Sequence, residues 1–330
     1  MAKMFNMTKI HDNKGLWIDK SRVKRFLSEF KNNWRDGYWW KTKLRDIVVV
    51  NYFRYVIGNR GEYVMKKDWD NLIILDACRY DLFVEVSGLK PDYIISRGSC
   101  TAEFLRENFQ GNRFMDTIYI TANPMVDLLV RDCFYKVIPV WKYEWDEELN
   151  TVLPESMVKY AIKTEEKYPD KRLIIHFMQP HQPFIDYPEL SRHGFKEICL
   201  VAERMRPQFE PTNPWYDADR GKIDFKILWK AYKKNLEIVL PHAFYLANKL
   251  RGRNVITSDH GEAFRRLLFP LPIRIAEHPE GIYIPELVKV PWLVIENGKR
   301  KKISAKDREV ELIKSPIKKL NAKIANKGKV

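Results

Sequence analysis

The stretch Asn71-Leu72-Ile73-Ile74-Leu75-Asp76-Ala77-Cys78-Arg79-Tyr80-Asp81 runs from large apolar residues straight into a carboxylate. An apolar run this short, with no alternation, reads as a strand buried on both faces. Four further runs have the same texture: Thr117–Ile120, Arg172–Ile175, Asn254–Thr257 and Pro291–Ile295. Helix-length segments lie between them, clearest at 155–168 and 226–250. Strands alternating with helices predict an α/β fold: a mostly parallel central sheet with helices on both faces, a three-layer α/β/α sandwich. Such sheets bind ligands outside the carboxyl ends of their strands, so the residues that follow each run are where function is sought.

Outward from this core the texture changes twice. Residues 1–66 are basic and rich in aromatics, and Val23–Phe30 and Lys43–Val50 read as amphipathic helices, a helical N-terminal extension. Residues 67–298 form the predicted α/β domain, and 299–330 read as a basic tail without core residues. Composition fits a folded chain: 45% hydrophobic and 13% aromatic over 330 residues. Cys78, Cys100, Cys133 and Cys199 are scattered, which argues against a zinc ribbon or a disulfide scaffold. No run approaches the roughly 20 apolar residues of a spanning helix, and no leader pattern opens the chain. The expectation is a cytoplasmic protein, peripheral at the inner membrane face if the basic N-terminal region docks there. The net charge of +15 fits an anionic substrate, an anionic bilayer or nucleic acid.

Asp76 follows the first strand, and Ser258-Asp259-His260-Gly261-Glu262 follows the fourth. A carboxylate at a buried strand end is costly unless it meets a cation or caps a helix. Asp259 and His260 offer two ligand types to one cation. His181, in Gln179-Pro180-His181-Gln182-Pro183-Phe184, and His278, in Ala276-Glu277-His278-Pro279-Glu280-Gly281, sit in loops stiffened by proline. His176 lies inside an apolar run, where a hydrogen-bonded structural role is at least as well supported. Ser96-Arg97-Gly98-Ser99-Cys100-Thr101-Ala102-Glu103 leads into a helical pattern ending near Phe109. A hydroxyl at a helix N-terminus gains acidity from the dipole and faces free N–H groups, although plain capping accounts equally for its presence.

Taken in order, these segments resemble the alkaline phosphatase superfamily, on its sulfatase and phosphoglycerol-transferase side. Asn71–Asp81 resembles the family's opening strand with its metal-binding Asp. Gly98–Leu105 falls where the nucleophile belongs, and Pro180–Phe184 is similar to the sulfatase His-x-Pro-Phe loop. Thr257–Glu262 is similar to the main metal signature, and His278 with Val290-Pro291-Trp292-Leu293 resembles the late histidine and closing strand. The resemblance spans roughly residues 67–298. It implies a divalent cation (Mn, Mg, Ca or Zn) held by Asp76, the nucleophile, Asp259 and His260. It implies that His181 and His278 bind a second metal or the non-bridging oxygens, with Arg79 and Arg97 as further charge partners. Cys100-Thr101-Ala102-Glu103-Phe104 has Ala and Phe where the oxidised-cysteine motif Cys-x-Pro-x-Arg has Pro and Arg. That favours a hydroxyl nucleophile, Thr101 first and Ser99 second, over Cys100. Ala77 also stands where many sulfatases carry a second Asp.

The expected activity is metal-dependent hydrolysis or transfer of a phosphoester through a covalent intermediate, on a phosphorylated small molecule, glycan or lipid-linked glycan. A sulfatase using Cys100 is the alternative. A basic nucleic-acid-binding protein is the reading from another class, with no recognition motif to support it and no specific nucleic acid expected.

Overall fold

The structure is a computed structural model, and it describes residues 20–190, 214–268 and 273–306. The chain forms two compact units that divide between Val49 and Val50. In the first, α1 (Lys20–Asn33) and α2 (Gly37–Leu44) are followed by a π-helical turn at Arg45–Val49. The amphipathic helix predicted over Lys43–Val50 is therefore broken by a change of helical period. Of Trp17, Trp34, Trp39 and Trp40, the N-terminal tryptophans expected near an anionic bilayer face, Trp17 lies outside the described residues, as does Cys199.

The second unit is built on a seven-stranded sheet. In chain order its strands are β1 (Asn71–Asp76), β2 (Asp92–Ile95), β3 (Phe114–Thr121), β4 (Phe134–Pro139), β7 (Arg172–Pro180), β8 (Gly252–Thr257) and β11 (Lys289–Asn297). Two small hairpins complete the count: β5 (Trp145–Asp146) with β6 (Thr151–Val152), and β9 (Ala263–Leu268) with β10 (Ile273–Glu277). The order across the sheet is β2-β11-β8-β1-β7-β3-β4. β8, β1, β7, β3 and β4 pair parallel, and β11 runs antiparallel to both β8 and β2.

The pleat of β1 sends successive side chains to opposite faces and so defines the layers. Ile73 and Leu75 join one core with Met157 and Ala161 of α7 (Pro154–Lys167) and Leu228, Leu236 and Val239 of α9 (Phe225–Lys249). Leu82 and Phe83 of α4 (Tyr80–Ser87) pack into the same core. Leu72 and Ile74 join the other, with Phe104, Leu105 and Phe109 of α5 (Thr101–Phe109) and Val126 of α6 (Met125–Leu129). Three short helices, α3 (Val50–Tyr52), α8 (Pro214–Asp219) and α10 (Pro285–Val288), complete the described α-helices.

Two expectations need correction. β11 is not buried on both faces, because from Trp292 onward its residues are half-buried or exposed. β7 runs past His176 to Pro180, so His181 follows the strand directly. Residues 50–66 belong to the larger unit, where Glu62 bridges to Ser96. Beyond 299, Arg300 pairs with Asp68 and Asp70, and the buried Lys301 ammonium donates to Asn71 Oδ1 (2.6 Å) at the foot of β1. A basic segment contributes to a core when each cation finds an acceptor there.

Candidate active site

The carboxyl ends of β1 and β8 lie side by side, since the strands pair in register from Asn71↔Asn254 to Ile74↔Thr257. Their next residues meet. Asp259 Oδ1 accepts from the N–H of Ala77 (3.0 Å), and Ser258 Oγ accepts from Cys78 N–H (2.8 Å) while donating to the Leu75 carbonyl (2.6 Å). The turn holds Ala77 at φ +59°, a left-handed conformation that costs an L-residue about 1–3 kcal/mol and persists only where surroundings enforce it. Gly261 allows the loop after His260 to close against the neighbouring chain, because a Cβ there would stand 2.2 Å from the Glu286 carbonyl.

Asp76, Asp259, His176 and His260 are all buried in this corner. Asp76 Oδ2 accepts from Asn123 Nδ2 (2.6 Å) and lies 3.4 Å from His176 Nε2. His260 Nε2 is 3.7 Å from Asp76 Oδ1 and 3.5 Å from Asp259 Oδ2. His260 Nδ1 lies 2.8 Å from the Gly261 carbonyl; donation there leaves a lone pair on Nε2, facing the carboxylates. Burial pushes the Asp76 carboxyl up, but His176, His181 and His260 outweigh it and hold it well below the usual carboxylate range. The same carboxylates hold His176 above its ordinary value against its burial.

Thr101 is the first residue of α5, and its Oγ1 lies 3.1 Å from His260 Nε2. The N-cap residue of α5, Cys100, makes no side-chain capping bond, and Ser99 and Glu103 bond elsewhere. Glu103 accepts from Ser99 N–H and lies 2.8 Å from Ser99 Oγ, and Ser99 Oγ accepts from Gly281 N–H at 2.8 Å. The Ser99 hydroxyl is thus engaged away from His260. Burial pushes the Cys100 thiol up to about 12, the opposite of what a reactive thiolate needs. Of the three nucleophile candidates, the fold sets Thr101 against the buried histidine.

A second group lies alongside. His181, Glu262 and His278 each bring one ligand atom within 4.8 Å of the others. His278 Nδ1 is 3.0 Å from Glu262 Oε2, and the His278 ring centroid stands 4.7 Å from that of His260 and 4.9 Å from that of His181. Burial would lower the His278 pKa, but Glu262 raises it to about 9. For His181 burial prevails, and its pKa falls.

The two arginines separate. Arg79 donates to the Glu262 carbonyl (3.1 Å) and to Asp81, lies over the Trp229 ring, and lines a cleft of about 170 Å³ with Tyr80, Glu286 and Lys289. Arg97 pairs with Glu107, donates to the Gly61 carbonyl and stacks on Tyr63, so it braces the loop before α5 instead of joining the histidines. Sequence reasoning missed Glu262 and Asn123 as members of the site and left His176 structural. Only His176 carried a local signal, a polar residue within the run Leu173-Ile174-Ile175-His176-Phe177-Met178.

The residues fit the divalent cation that the sequence resemblance implies. Asp76 Oδ1, Asp259 Oδ2, His176 Nε2 and Glu262 Oε1 are buried without a hydrogen-bond partner among the described residues. Unpaired buried polar atoms are rare because each costs about 1–3 kcal/mol. Four of them beside a helix N-terminus compose an oxygen and imidazole donor set suited to Zn²⁺ or Mn²⁺.

No protein-family model matches the chain, and no curated protein matches it. Among solved structures it is similar to the soluble domain of lipooligosaccharide phosphoethanolamine transferase A from Neisseria meningitidis, at 15% identity and a TM-score of 0.41, over 67% of this chain and 75% of that one. It is also similar to the integral membrane form of that transferase, at 14% identity and 0.45, over 84% of this chain and 59% of that one. A third match is the C-terminal periplasmic domain of phosphoethanolamine transferase EptC from Campylobacter jejuni, at 16% and 0.42, over 68% and 77%.

Proposed function

We propose that the chain is a metal-dependent phosphoester transferase or hydrolase of the alkaline phosphatase superfamily, with Thr101 as nucleophile. The observation that carries this is the Thr101 hydroxyl at the N-terminus of α5, 3.1 Å from His260 Nε2 and beside the orphaned oxygens of Asp76 and Asp259. Asp76, Asp259 and His260 would hold the cation, which when bound polarises the ester and acidifies the hydroxyl. The N-terminal dipole of α5 favours the same deprotonation and binds the anionic ester. Thr101 Oγ1 attacks phosphorus, the bond to the leaving alcohol breaks, and the phosphoryl group passes to Thr101. His278, kept protonated by Glu262, offers a proton to the leaving oxygen, while His181 faces the non-bridging oxygens or a second cation. Water or an acceptor alcohol, such as a sugar hydroxyl of a lipid-linked glycan, then takes the group and frees Thr101.

Phosphate is favoured over sulfate because Cys100 has neither the flanking residues nor the acidity for oxidation. The test is turnover of p-nitrophenyl phosphate, its bis-ester and p-nitrophenyl sulfate with Mn²⁺, Mg²⁺, Ca²⁺, Zn²⁺ or EDTA. Turnover should be abolished by EDTA, lost in Asp259→Ala, and reduced at least about 10³-fold in Thr101→Ala with the metal still bound. Turnover indifferent to EDTA and to both substitutions would overturn the proposal.

A further inference from the structure

His176 is wholly buried on β7 and in register with Ile74 of β1 and Thr121 of β3. Along β1 the alternation brings Asp76 back to the face of Ile74, which places the imidazole beneath the carboxylates. Its Nδ1 lies 2.9 Å from the Tyr119 hydroxyl. Its Nε2 lies 3.4 Å from Asp76 Oδ2 and 3.7 Å from Asp259 Oδ2, too far or misaligned to bond either. A histidine retained only for packing has both nitrogens hydrogen-bonded, and this one has a single hydrogen-bond partner among the described residues, its Nε2 standing at ion-pair distance from two carboxylates.

Two donors that share one cation at about 2.1 Å stand about 3.0–3.4 Å apart. The separations around this corner are close to that spacing: 3.4 and 3.7 Å from His176, 3.5 and 3.7 Å from His260. Asp76, His176 and Asp259 also bring their ligand atoms within 4.8 Å of one another. Resting on the functional reading above, we propose that His176 is itself a ligand, so that the cation held by Asp76, Asp259 and His260 takes two imidazoles. In that state Nδ1–H donates to the Tyr119 oxygen and Nε2 presents its lone pair, the arrangement by which an outer partner fixes the ring of a liganding histidine. Two imidazoles shift the site's preference from Mg²⁺ and Ca²⁺ toward Zn²⁺ and Mn²⁺.

The test counts nitrogens, which activity alone does not. Full-length protein receives one equivalent of Mn²⁺ and is read by electron spin echo modulation, alongside His176→Gln, His278→Gln and Asp259→Ala. Imidazole coupling from two rings is expected in the wild type and in His278→Gln, and from one ring in His176→Gln. The Mn²⁺ dissociation constant of His176→Gln should rise at least about 100-fold. A single-ring wild-type spectrum with binding that requires Asp259 would overturn the His176 assignment and leave the proposed function standing. No bound Mn²⁺ or Zn²⁺ in the wild type would overturn both. The wild-type spectrum decides the question even if His176→Gln fails to fold.

Discussion

Burial by itself would strip His278 of its proton; Glu262, 3.0 Å away, reverses the balance and sets the pKa at about 9 against 6.5 for an ordinary imidazole. A pKa raised by folding means that the folded state binds the proton more tightly. The pair's contribution is therefore complete below pH 6.5 and is lost as pH rises through about 9. In EDTA, the stability advantage of the wild type over His278→Asn should be greatest at pH 6 and shrink by pH 9.5, as read from urea unfolding. An advantage that grows with pH would show that the Glu262 pair does not control this imidazole. Metal bound at His278 would displace the same proton, so binding there should release protons below pH 9 and tighten as pH rises.

At the scale of elements, the chemistry depends on how α5 is fixed to the loop that carries His278. The buried Glu103 carboxylate accepts from Ser99 N–H and from the Tyr283 hydroxyl (2.8 Å), and lies 3.4 Å from Gly281 N. Ser99 Oγ also lies 3.0 Å from the Pro279 carbonyl. Ser99 and Glu103 thus form a clamp between the helix of Thr101 and residues 279–283. Glu103→Ala would leave buried donors unpaired, at a cost of about 1–3 kcal/mol. It would also free Thr101 to drift from His278, and displacements near 1 Å cost on the order of 10²-fold in rate. The expected result is lower stability together with a kcat loss larger than any KM change. Tyr283→Phe should show a smaller effect in the same direction. Lost stability with unchanged kcat would confine the clamp to a structural role.

At the scale of the molecule, the N-terminal unit exposes Leu27, Trp34, Trp40, Leu44, Ile47 and Val48. Arg35 stacks on the exposed Trp34 and Lys43 on the half-buried Trp39, so cations sit beside the rings. No described helix is long and apolar enough to cross a membrane. Aromatic and basic side chains displayed together suit an anionic bilayer surface, where each cation contributes about 1 kcal/mol. The protein should sediment with phosphatidylglycerol vesicles at low salt, be released by high salt, and bind less well as Trp34→Ala/Trp40→Ala. Failure to sediment would remove the membrane partner and leave the catalytic proposal untouched. The described Cys78, Cys100 and Cys133 are free thiols.

The sequence by itself determined β1, β3, β7, β8 and β11, α7 and α9, and the candidate ligands at two strand ends. Each of these is written in a few consecutive residues: an apolar run, its period, or a carboxylate placed where burial alone would be costly. Only the tertiary structure decided that β11 runs antiparallel, since an apolar run carries no direction. It also decided that Thr101, and not Ser99 or Cys100, faces His260, because three adjacent small residues differ only in what lies across from them. Arg97 was drawn off by Glu107 and Tyr63, and Glu262 was brought to His278, by contacts between segments that no local spacing encodes. The division at Val49 and the anchoring of Lys301 on Asn71 have the same origin. Strand and helix periods are local properties of a chain, whereas the partner of a buried polar atom is fixed only when distant strands pair.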